Sequence, residues 1–186
     1  MTKILVLAGS TSSKSYNRKL AQFAASCIPE AEHIELSDFE MPLYNADLEA
    51  DKGLPESAVR LKKLFIECDG FCLACPEYNS CITPLFKNTL DWISRKESED
   101  EPNLVAYKGK IAALISASPG ALGGMRSLVT TRLMLSNIGT LVLPTQVCIP
   151  KAYEAFDDAG QLVDESKTNA IKNLMRELKD TCLALK

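Results

Sequence analysis

Residues 3–17 read KILVLAGSTSSKSYN and decide the fold. Positions 3–8 form a short run rich in Ile, Leu and Val, which predicts a buried β-strand bounded by Gly9 and Ser10. A helix is predicted over residues 15–28, because apolar side chains there recur at helical spacing. Between the two lies a loop of small, hydroxyl-bearing residues. A buried strand that leads through a loop into a helix is the first part of a βαβ unit, so this stretch predicts a parallel sheet.

The same alternation of strand and helix continues along the chain. Prolines and acidic residues predict a long loop over residues 37–55. Further strands are predicted at 31–36, 70–75, 110–116 and 140–147, and helices at 56–68, 83–94, 125–138 and 165–185. This alternation predicts an α/β fold, a three-layer sandwich in which helices cover both faces of a five-stranded parallel sheet. We expect the flavodoxin-like strand order 2-1-3-4-5 in a single domain over residues 1–186, with ligands bound beyond the carboxyl ends of the strands.

Composition and charge narrow the functional classes. The net charge is −3 and no basic block stands out, so no nucleic-acid partner is expected. The apolar runs are too short for a membrane span or a signal-peptide core, which predicts no membrane partner and a cytoplasmic location. The seven cysteines are an odd number and favour buried free thiols over a disulfide framework. Cys72 and Cys75 lie in one predicted strand and should point to opposite faces, which argues against a redox pair.

The loop over residues 9–17 concentrates hydroxyl groups and backbone N–H donors at a helix start, a favourable place for an anion. A serine-rich helix cap is the structural alternative. We interpret the loop as a phosphate site, because several hydrogen bonds to a charged group, at about 1.5–3 kcal/mol each, outweigh a helix dipole of about 0.3–1 kcal/mol. The predicted ligands are Ser10, Ser12, Ser15, Tyr16 and Asn17. No glycine precedes Lys14, so a P-loop is disfavoured and a terminal monophosphate such as that of FMN is favoured.

A second polar loop follows the third predicted strand. Its backbone amides at residues 77–80 suit the hydrogen-bonding edge of a flavin, and Tyr78 suits a wall beside the ring. The predicted cofactor contacts here are Pro76, Glu77, Tyr78 and Asn79. An ordinary turn that leads into a well-capped helix is an equal alternative. Trp92, on that helix, is predicted to be a core or subunit contact rather than a cofactor contact.

The third loop, over residues 116–126, is rich in glycine, which lets a backbone approach a ligand closely. The predicted cofactor contacts in this loop are Ser116, Ser118 and Gly120. Arg126 is an unusual charge for the positive end of a helix dipole. We expect it to meet an anion or a carboxylate of another subunit, with a solvated side chain as the alternative.

Together these loops resemble the NADPH-dependent FMN reductase family, a flavodoxin-like group that includes quinone, azo-dye and chromate reductases. The resemblance is carried by residues 9–17, by residues 76–92 (PEYNSCITPLFKNTLDW) and by residues 116–126, and it extends over essentially the whole chain. It implies that the first loop holds the FMN phosphate, that the second holds the isoalloxazine edge, and that the third lies against the ring. Many members carry Arg where this chain has Ser12, which implies weaker phosphate electrostatics here, with Lys14 as a partial substitute.

The resemblance also implies an enzyme whose chemistry takes place on FMN rather than on a side chain. NADPH or NADH is expected to deliver hydride to N5 of the flavin, and small-molecule electron acceptors such as quinones, azo compounds, free flavin or metal oxyanions are then reduced. His33, the single histidine, lies in a predicted strand away from the loops, which argues against a Ser-His-Asp triad or a metal site. A non-catalytic electron carrier or flavin sensor, and a degenerate P-loop phosphotransferase, remain as alternatives. Family members are commonly dimers or tetramers, and with Trp92, Arg126 and residues 148–163 this implies a homodimer or homotetramer.

Overall fold

The structure is a computed structural model that describes residues 2–186. Its strands and helices alternate as the sequence predicts, except that a short 3₁₀ turn at Leu36–Asp38 and one additional helix lie between the second and third strands. The strands are β1 (Ile4–Ala8), β2 (Ala31–Ile34), β3 (Gly70–Ala74), β4 (Ile111–Ala117) and β5 (Leu141–Ile149). The helices are α1 (Tyr16–Ser26), α2 (Ala46–Lys52), α3 (Glu56–Glu67), α4 (Pro84–Ile93), α5 (Met125–Asn137) and α6 (Glu165–Ala184).

The five strands form one parallel sheet in the order β2-β1-β3-β4-β5, which confirms the predicted topology. In the register of the central strands, Ala8 of β1 lies opposite Ala74 of β3, and Ala74 lies opposite Ile115 of β4. The carboxyl ends of β1, β3 and β4 are therefore neighbours at one edge of the sheet. The loops that follow these three strands are brought together there, as a doubly wound sheet requires of its ligand site.

Each face of the sheet buries its own apolar layer. Side chains such as Val6 and Cys72 face α1 and α6, whereas Leu5 and Leu73 face α3, α4 and α5. The prediction for the cysteine pair is confirmed, because Cys75 lies in the second layer, opposite Cys72. Burial raises the pKa of the Cys75 thiol to about 12, so this thiol is protonated at neutral pH.

The prediction of an uninterrupted loop over residues 37–55 is wrong, because α2 lies within it. Asn45 caps this helix, and its side-chain oxygen accepts hydrogen bonds from the N–H groups of Asp47 (2.7 Å) and Leu48 (3.1 Å). No residue of α2 is buried, so the helix carries no apolar stripe for a sequence pattern to report. Capping rather than core packing accounts for its formation.

The segment before α2 is held against α4. The carbonyl oxygen of Pro42 accepts hydrogen bonds from Trp92 Nε1 (2.8 Å) and Asn88 Nδ2 (2.9 Å). Trp92 is completely buried, so of its two predicted environments the core is the observed one. Within residues 2–186, no helix combines the length and the apolarity that crossing a bilayer requires.

Candidate functional site

A cleft of about 180 Å³ opens where the loops after β1, β3 and β4 meet. The three loops contribute its walls in sequence order. Its lining residues are Ser10, Ser12, Ser15, Tyr16, Asn17, Pro76, Glu77, Tyr78, Ala117, Ser118 and Pro119. Nine of the twelve predicted cofactor contacts are in this set, whereas Asn79, Ser116 and Gly120 are not.

A larger groove, of about 820 Å³, lies away from the strand ends beside α2. Its polar side chains bond to one another: Tyr44 Oη donates to Glu49 (2.8 Å), and Arg95 Nε donates to the same carboxylate (2.8 Å). Burial opposes the ionisation of Glu49, but its hydrogen bonds from Arg95 and Tyr44 outweigh that effect and lower its pKa. Because these groups satisfy one another, the smaller cleft is the better candidate site.

The loop after β1 leads into a helix start at which two backbone N–H groups are unbonded. It is shaped from within by hydrogen bonds from Ser15 N–H to Ser12 O (3.0 Å) and from Arg18 N–H to Ser15 Oγ (3.4 Å). The N–H groups of Tyr16 and Asn17, which begin α1, have no acceptor anywhere in residues 2–186. These are the orphan donors of a helix N-terminus, where the dipole is also positive. The loop therefore presents a ready-made set of donors to an anion.

Asn17 offers a ligand only its backbone N–H, because its side chain is already bonded. Its Nδ2 donates to Ala117 O (2.7 Å), and its Oδ1 accepts from the N–H of Ala117 (2.9 Å). Only 4% of the residue is exposed. The amide thus joins the start of α1 to the end of β4, a structural role that sequence reasoning missed because the partners are 100 positions apart.

The first and second walls of the cleft are fastened together. Thr83 Oγ1 donates to Gly9 O (2.7 Å), and the N–H of Gly9 donates to Ala74 O (3.0 Å). A Cβ atom at Gly9 would lie 3.0 Å from Cβ of Phe86 and 3.2 Å from Cδ of Pro76. Glycine is therefore needed here to let the two loops approach each other.

The second loop makes a tight turn in which one of its predicted backbone N–H donors is already hydrogen-bonded. The N–H of Tyr78 donates to Cys81 O (2.9 Å), and Cys81 N–H donates back to Tyr78 O (3.0 Å). Of the backbone amides over residues 77–80 that were predicted to suit a flavin edge, that of Tyr78 is bonded within the turn instead. Asn79, at the exposed tip, has a φ of 51° and lies outside the cleft lining. The N–H of Glu77 has no acceptor within residues 2–186 and remains available at the wall.

The glycines of the third loop serve packing. A Cβ at Gly123 would lie 2.8 Å from backbone atoms of Ile149 and Pro150, and one at Gly124 would lie 2.6 Å from Ser116 Oγ. Both residues have positive φ, of 60° and 86°. Ser116 is fully buried and its hydroxyl donates to Gly123 O, so it braces this loop from below. We predicted that these glycines bring backbone close to a ligand, but Gly123 brings the loop close to the end of β5 and Gly124 brings it close to Ser116 of β4.

Arg126 meets a carboxylate of its own chain. The Nε and Nη2 atoms of Arg126 are each 2.8 Å from Glu77 Oε1, and the Arg126 N–H donates to Glu77 Oε2 (2.9 Å). The expectation of a partner in another subunit is wrong. The α5 helix has Gly124 at its N-cap and no side-chain cap of its own, so the Glu77 carboxylate satisfies one of its orphan N–H groups.

A charged network supports the first loop from behind. Arg18 Nη1 donates to Thr11 O (3.2 Å), and Arg18 Nε lies 2.9 Å from the Glu35 carboxylate. His33 lies on the edge strand β2, as predicted, with Nδ1 3.8 Å from Glu35. Burial lowers the pKa of His33, Glu35 opposes that effect, and Arg18 adds to it. The cation within the loop itself, Lys14, is exposed.

The donor chemistry of the cleft fits the mononucleotide that the fold implies. Unbonded N–H groups at Tyr16 and Asn17, together with the Ser12 hydroxyl, match the acceptor oxygens of a phosphate. The opposite wall offers the half-exposed ring of Tyr78 and the N–H of Glu77, which match a flat heterocycle with polar atoms along one edge. A five-stranded sheet in this order, with this anion loop after β1, defines a flavodoxin-like mononucleotide-binding protein.

Comparison with known proteins narrows that class. The model of the NADPH-dependent FMN reductase family matches residues 2–154, and the chain belongs to this family. The predicted resemblance is therefore confirmed, and with it the prediction of an FMN-dependent oxidoreductase. The match also favours a reductase over the electron carrier and the phosphotransferase that the sequence had left open.

Individual relatives cover nearly the whole chain. An NAD(P)H-dependent FMN reductase of Pseudomonas aeruginosa is 34% identical, over 95% of this chain and 92% of the relative. A 2-hydroxy-1,4-benzoquinone reductase of a Burkholderia species is 35% identical, over 93% and 92%. Among solved structures, FerB, a flavoenzyme NAD(P)H:(acceptor) oxidoreductase of Paracoccus denitrificans, superposes with a TM-score of 0.81 at 27% identity, over 99% of this chain and 98% of FerB.

Proposed function

We propose that the cleft binds FMN, with the phosphate at the start of α1 and the edge of the flavin ring toward the loop after β3. The observation that carries this proposal is the pair of unbonded N–H groups at Tyr16 and Asn17, which open α1 at the cleft wall. Ser10, Ser12 and Ser15 surround the phosphate, and Glu77 and Tyr78 flank the ring. Ser118 contributes from the third wall, whereas the proposed roles of Asn79, Ser116 and Gly120 have no support in the cleft geometry.

In this proposal the protein binds FMN, orients the reactants and excludes water from them. FMN, when bound, supplies a ring that accepts hydride from a nicotinamide and passes reducing equivalents to an acceptor. The bond between Thr83 and Gly9 keeps the phosphate wall and the ring wall in a fixed relation. Holding two reactants in a fixed geometry can supply a large share of a rate enhancement, so a stiff cleft is useful even where no side chain reacts.

We further propose that NAD(P)H is the donor and that quinones are among the acceptors. The names of the relatives support this, since they include quinone reductases and a benzoquinone reductase. In this proposal no side chain acts as a nucleophile. A cleft that is open enough for a nicotinamide ring also admits a quinone of similar size. The donor and the acceptor would then bind one after the other at the same face of the flavin.

The experiment that tests the function is the visible spectrum of the purified protein under anaerobic conditions. We expect a flavin spectrum, either at once or after addition of FMN, which bleaches on addition of NADPH or NADH and returns on addition of a quinone. Protein that takes up no FMN would overturn the proposed site. Protein that takes up FMN but does not bleach with either nucleotide would overturn the proposed donor while leaving the site intact.

We also propose a homodimer or homotetramer, on a different basis from the one the sequence suggested. Trp92 is buried and Arg126 is bonded within its own chain, so neither supports an interface. The outer face of α5 instead carries Met125, Val129 and Leu133 at a spacing of four, exposed by 41%, 59% and 71%. Such an apolar stripe suits a second copy of the same helix in a symmetric contact. Light scattering should give a multiple of the 20.4 kDa chain mass, and a monomer would refute this.

A cytoplasmic location is the last part of the proposal. All seven cysteines are free, and four of them are buried among apolar side chains. Free thiols in this number are typical of a reducing compartment. Fractionation of the native cell, with the enzyme detected by antibody, tests this directly, and recovery from an oxidising compartment would contradict it.

A further inference from the structure

We propose that the Glu77–Arg126 pair is a positioning device that sets the reduction potential of the bound flavin, an inference that rests on the proposed FMN site. The carboxylate of Glu77 belongs to a loop that lines the cleft, and its side chain is only 8% exposed. A carboxylate so removed from water beside a redox cofactor needs a compensating charge. Arg126 supplies that charge with three contacts of 2.8–2.9 Å.

The contacts with Arg126 also hold the Glu77 carboxylate in a fixed orientation. Arg126 is the second residue of α5, so its N–H and its guanidinium grip the same carboxylate from a rigid helix end. The positive end of the helix dipole acts in the same sense as the guanidinium. Glu77 is therefore held in one orientation, with its carboxylate turned to α5 and its backbone N–H unbonded at the cleft wall.

The electrostatic consequence follows from where flavins gain electron density. Two-electron reduction adds negative charge to the pyrimidine end of the ring, and charges placed near that end shift the balance between oxidised and reduced flavin. With Arg126 in place, the Glu77 carboxylate is neutralised and opposes reduction little. Without Arg126, the same carboxylate stands uncompensated beside the ring and favours the oxidised flavin. An uncompensated charge at the cleft wall is expected to change the relative affinity for reduced and oxidised FMN by about tenfold.

Two single variants separate this role from simple anchoring of the loop. Arg126→Gln leaves an unpaired carboxylate and should shift the midpoint potential of bound FMN to a more negative value. Glu77→Gln leaves an unpaired guanidinium and should shift it to a more positive value. Loss of a structural tether would move both variants in the same direction, because each breaks the same contact. Opposite signs are therefore the signature of an electrostatic role.

The experiment is a redox titration of each protein reconstituted with FMN, together with a fluorescence titration of oxidised FMN into the apoprotein. The double variant Glu77→Gln/Arg126→Gln should return to the potential of the parent protein, and Arg126→Lys should stay close to it because the charge is kept. Arg176→Gln is the matched control, since it removes one exposed positive charge from α6, away from the cleft lining. Its potential should not change.

The outcomes are distinguishable. If the parent protein binds no FMN, the proposed site and this inference both fall. If the parent binds FMN and both single variants keep its potential, or both shift it in the same direction, the inference alone is overturned. If Arg126→Gln does not fold, the positive shift in Glu77→Gln and the unchanged potential of Arg126→Lys still decide the question.

Discussion

The loops after β1 and β4 have similar compositions and opposite uses. Both consist largely of Ser, Gly and Ala, both end at a helix N-terminus, and both line the same cleft. The loop after β1 leaves the N–H groups of Tyr16 and Asn17 without partners. The loop after β4 uses its small residues to fit under the end of β5, where Gly123 has no room for a side chain.

The difference shows that a loop of small residues can serve either binding or packing. Small side chains permit close approach, but they do not say whether a ligand or the protein itself comes close. What each loop faces gives the answer. The unbonded N–H groups of Tyr16 and Asn17 belong to residues that line the cleft, which favours a binding role for the first loop. Gly123 fits against backbone atoms of Ile149 and Pro150, which indicates a packing role for the third.

The largest loss of stability should come from adding a side chain at Gly123, where the third loop packs against the end of β5. Gly123→Ala places a Cβ 2.8 Å from backbone atoms of Ile149 and Pro150, which cannot rotate away. We expect the free energy of unfolding to fall by about 3 kcal/mol or more in urea titrations. Gly160→Ala is the matched control, because Gly160 also has positive φ (78°) but nothing within 4 Å of a new Cβ. Its cost should be about 1 kcal/mol. Equal costs would mean that the third loop is not tightly packed.

The next effect concerns the one side chain that joins the two loops. Asn17→Ala removes both hydrogen bonds to the backbone of Ala117 and leaves these buried groups unsatisfied. Unfolding free energy should fall by about 2–3 kcal/mol. Gln22→Ala, at an exposed position of the same helix, should cost less than about 0.5 kcal/mol. A loss of FMN affinity in Asn17→Ala without a loss of stability would instead indicate that the side chain binds the cofactor.

A third change should strengthen the binding loop. Ser12→Arg introduces a guanidinium at a position that lines the cleft. Charge-assisted hydrogen bonds to a phosphate should lower the dissociation constant of FMN by about tenfold, measured by quenching of flavin fluorescence. Ser13→Arg adds the same charge at an exposed neighbour outside the lining and should have a much smaller effect. Equal gains in the two variants would show that net charge alone, and not the position of residue 12, determines affinity.

The smallest effect concerns the support of the first loop. Because the pKa of His33 lies below its ordinary value of 6.5, the unfolded chain binds more protons than the folded one as the pH falls past that value. The contribution of His33 to the free energy of unfolding is fully present above pH 6.5 and decreases as the pH falls below that value. His33→Gln should therefore lose less stability than the parent between about pH 7.5 and about pH 5.5 in thermal unfolding. An unchanged pH dependence would contradict the assignment to His33.

Much of the fold follows from the sequence because buried parallel strands are continuous apolar runs. Strands β1, β3 and β4 are buried at every residue, so each is visible as an apolar segment with clear ends. The α2 helix was not predictable in this way, since it buries nothing and depends on the cap at Asn45. An exposed helix gives no periodic signal, and only its cap residue and the acidic residues of its first turn mark it.

The site was predictable as a meeting of three loops, but its internal bonds were not. The topology alone brings the loops after β1, β3 and β4 to one edge of the sheet. The Glu77–Arg126 pair joins residues 49 positions apart, and its geometry depends on how α5 is placed on the sheet. A charge at the wrong end of a helix dipole was the one available signal, and it pointed to a carboxylate without saying which one.

The turn at Tyr78 and Cys81 has a practical use. Cys81 is the one exposed thiol among the seven, and its backbone is bonded in both directions to the residue whose ring stands at the cleft. A thiol-reactive dye should therefore label Cys81 in preference to the half-buried Cys27 and Cys148, in the same turn as the proposed ring wall and without any engineered cysteine. Such a conjugate would work as an optical reporter of cofactor loading, and its quenching would time the arrival and departure of flavin in real time.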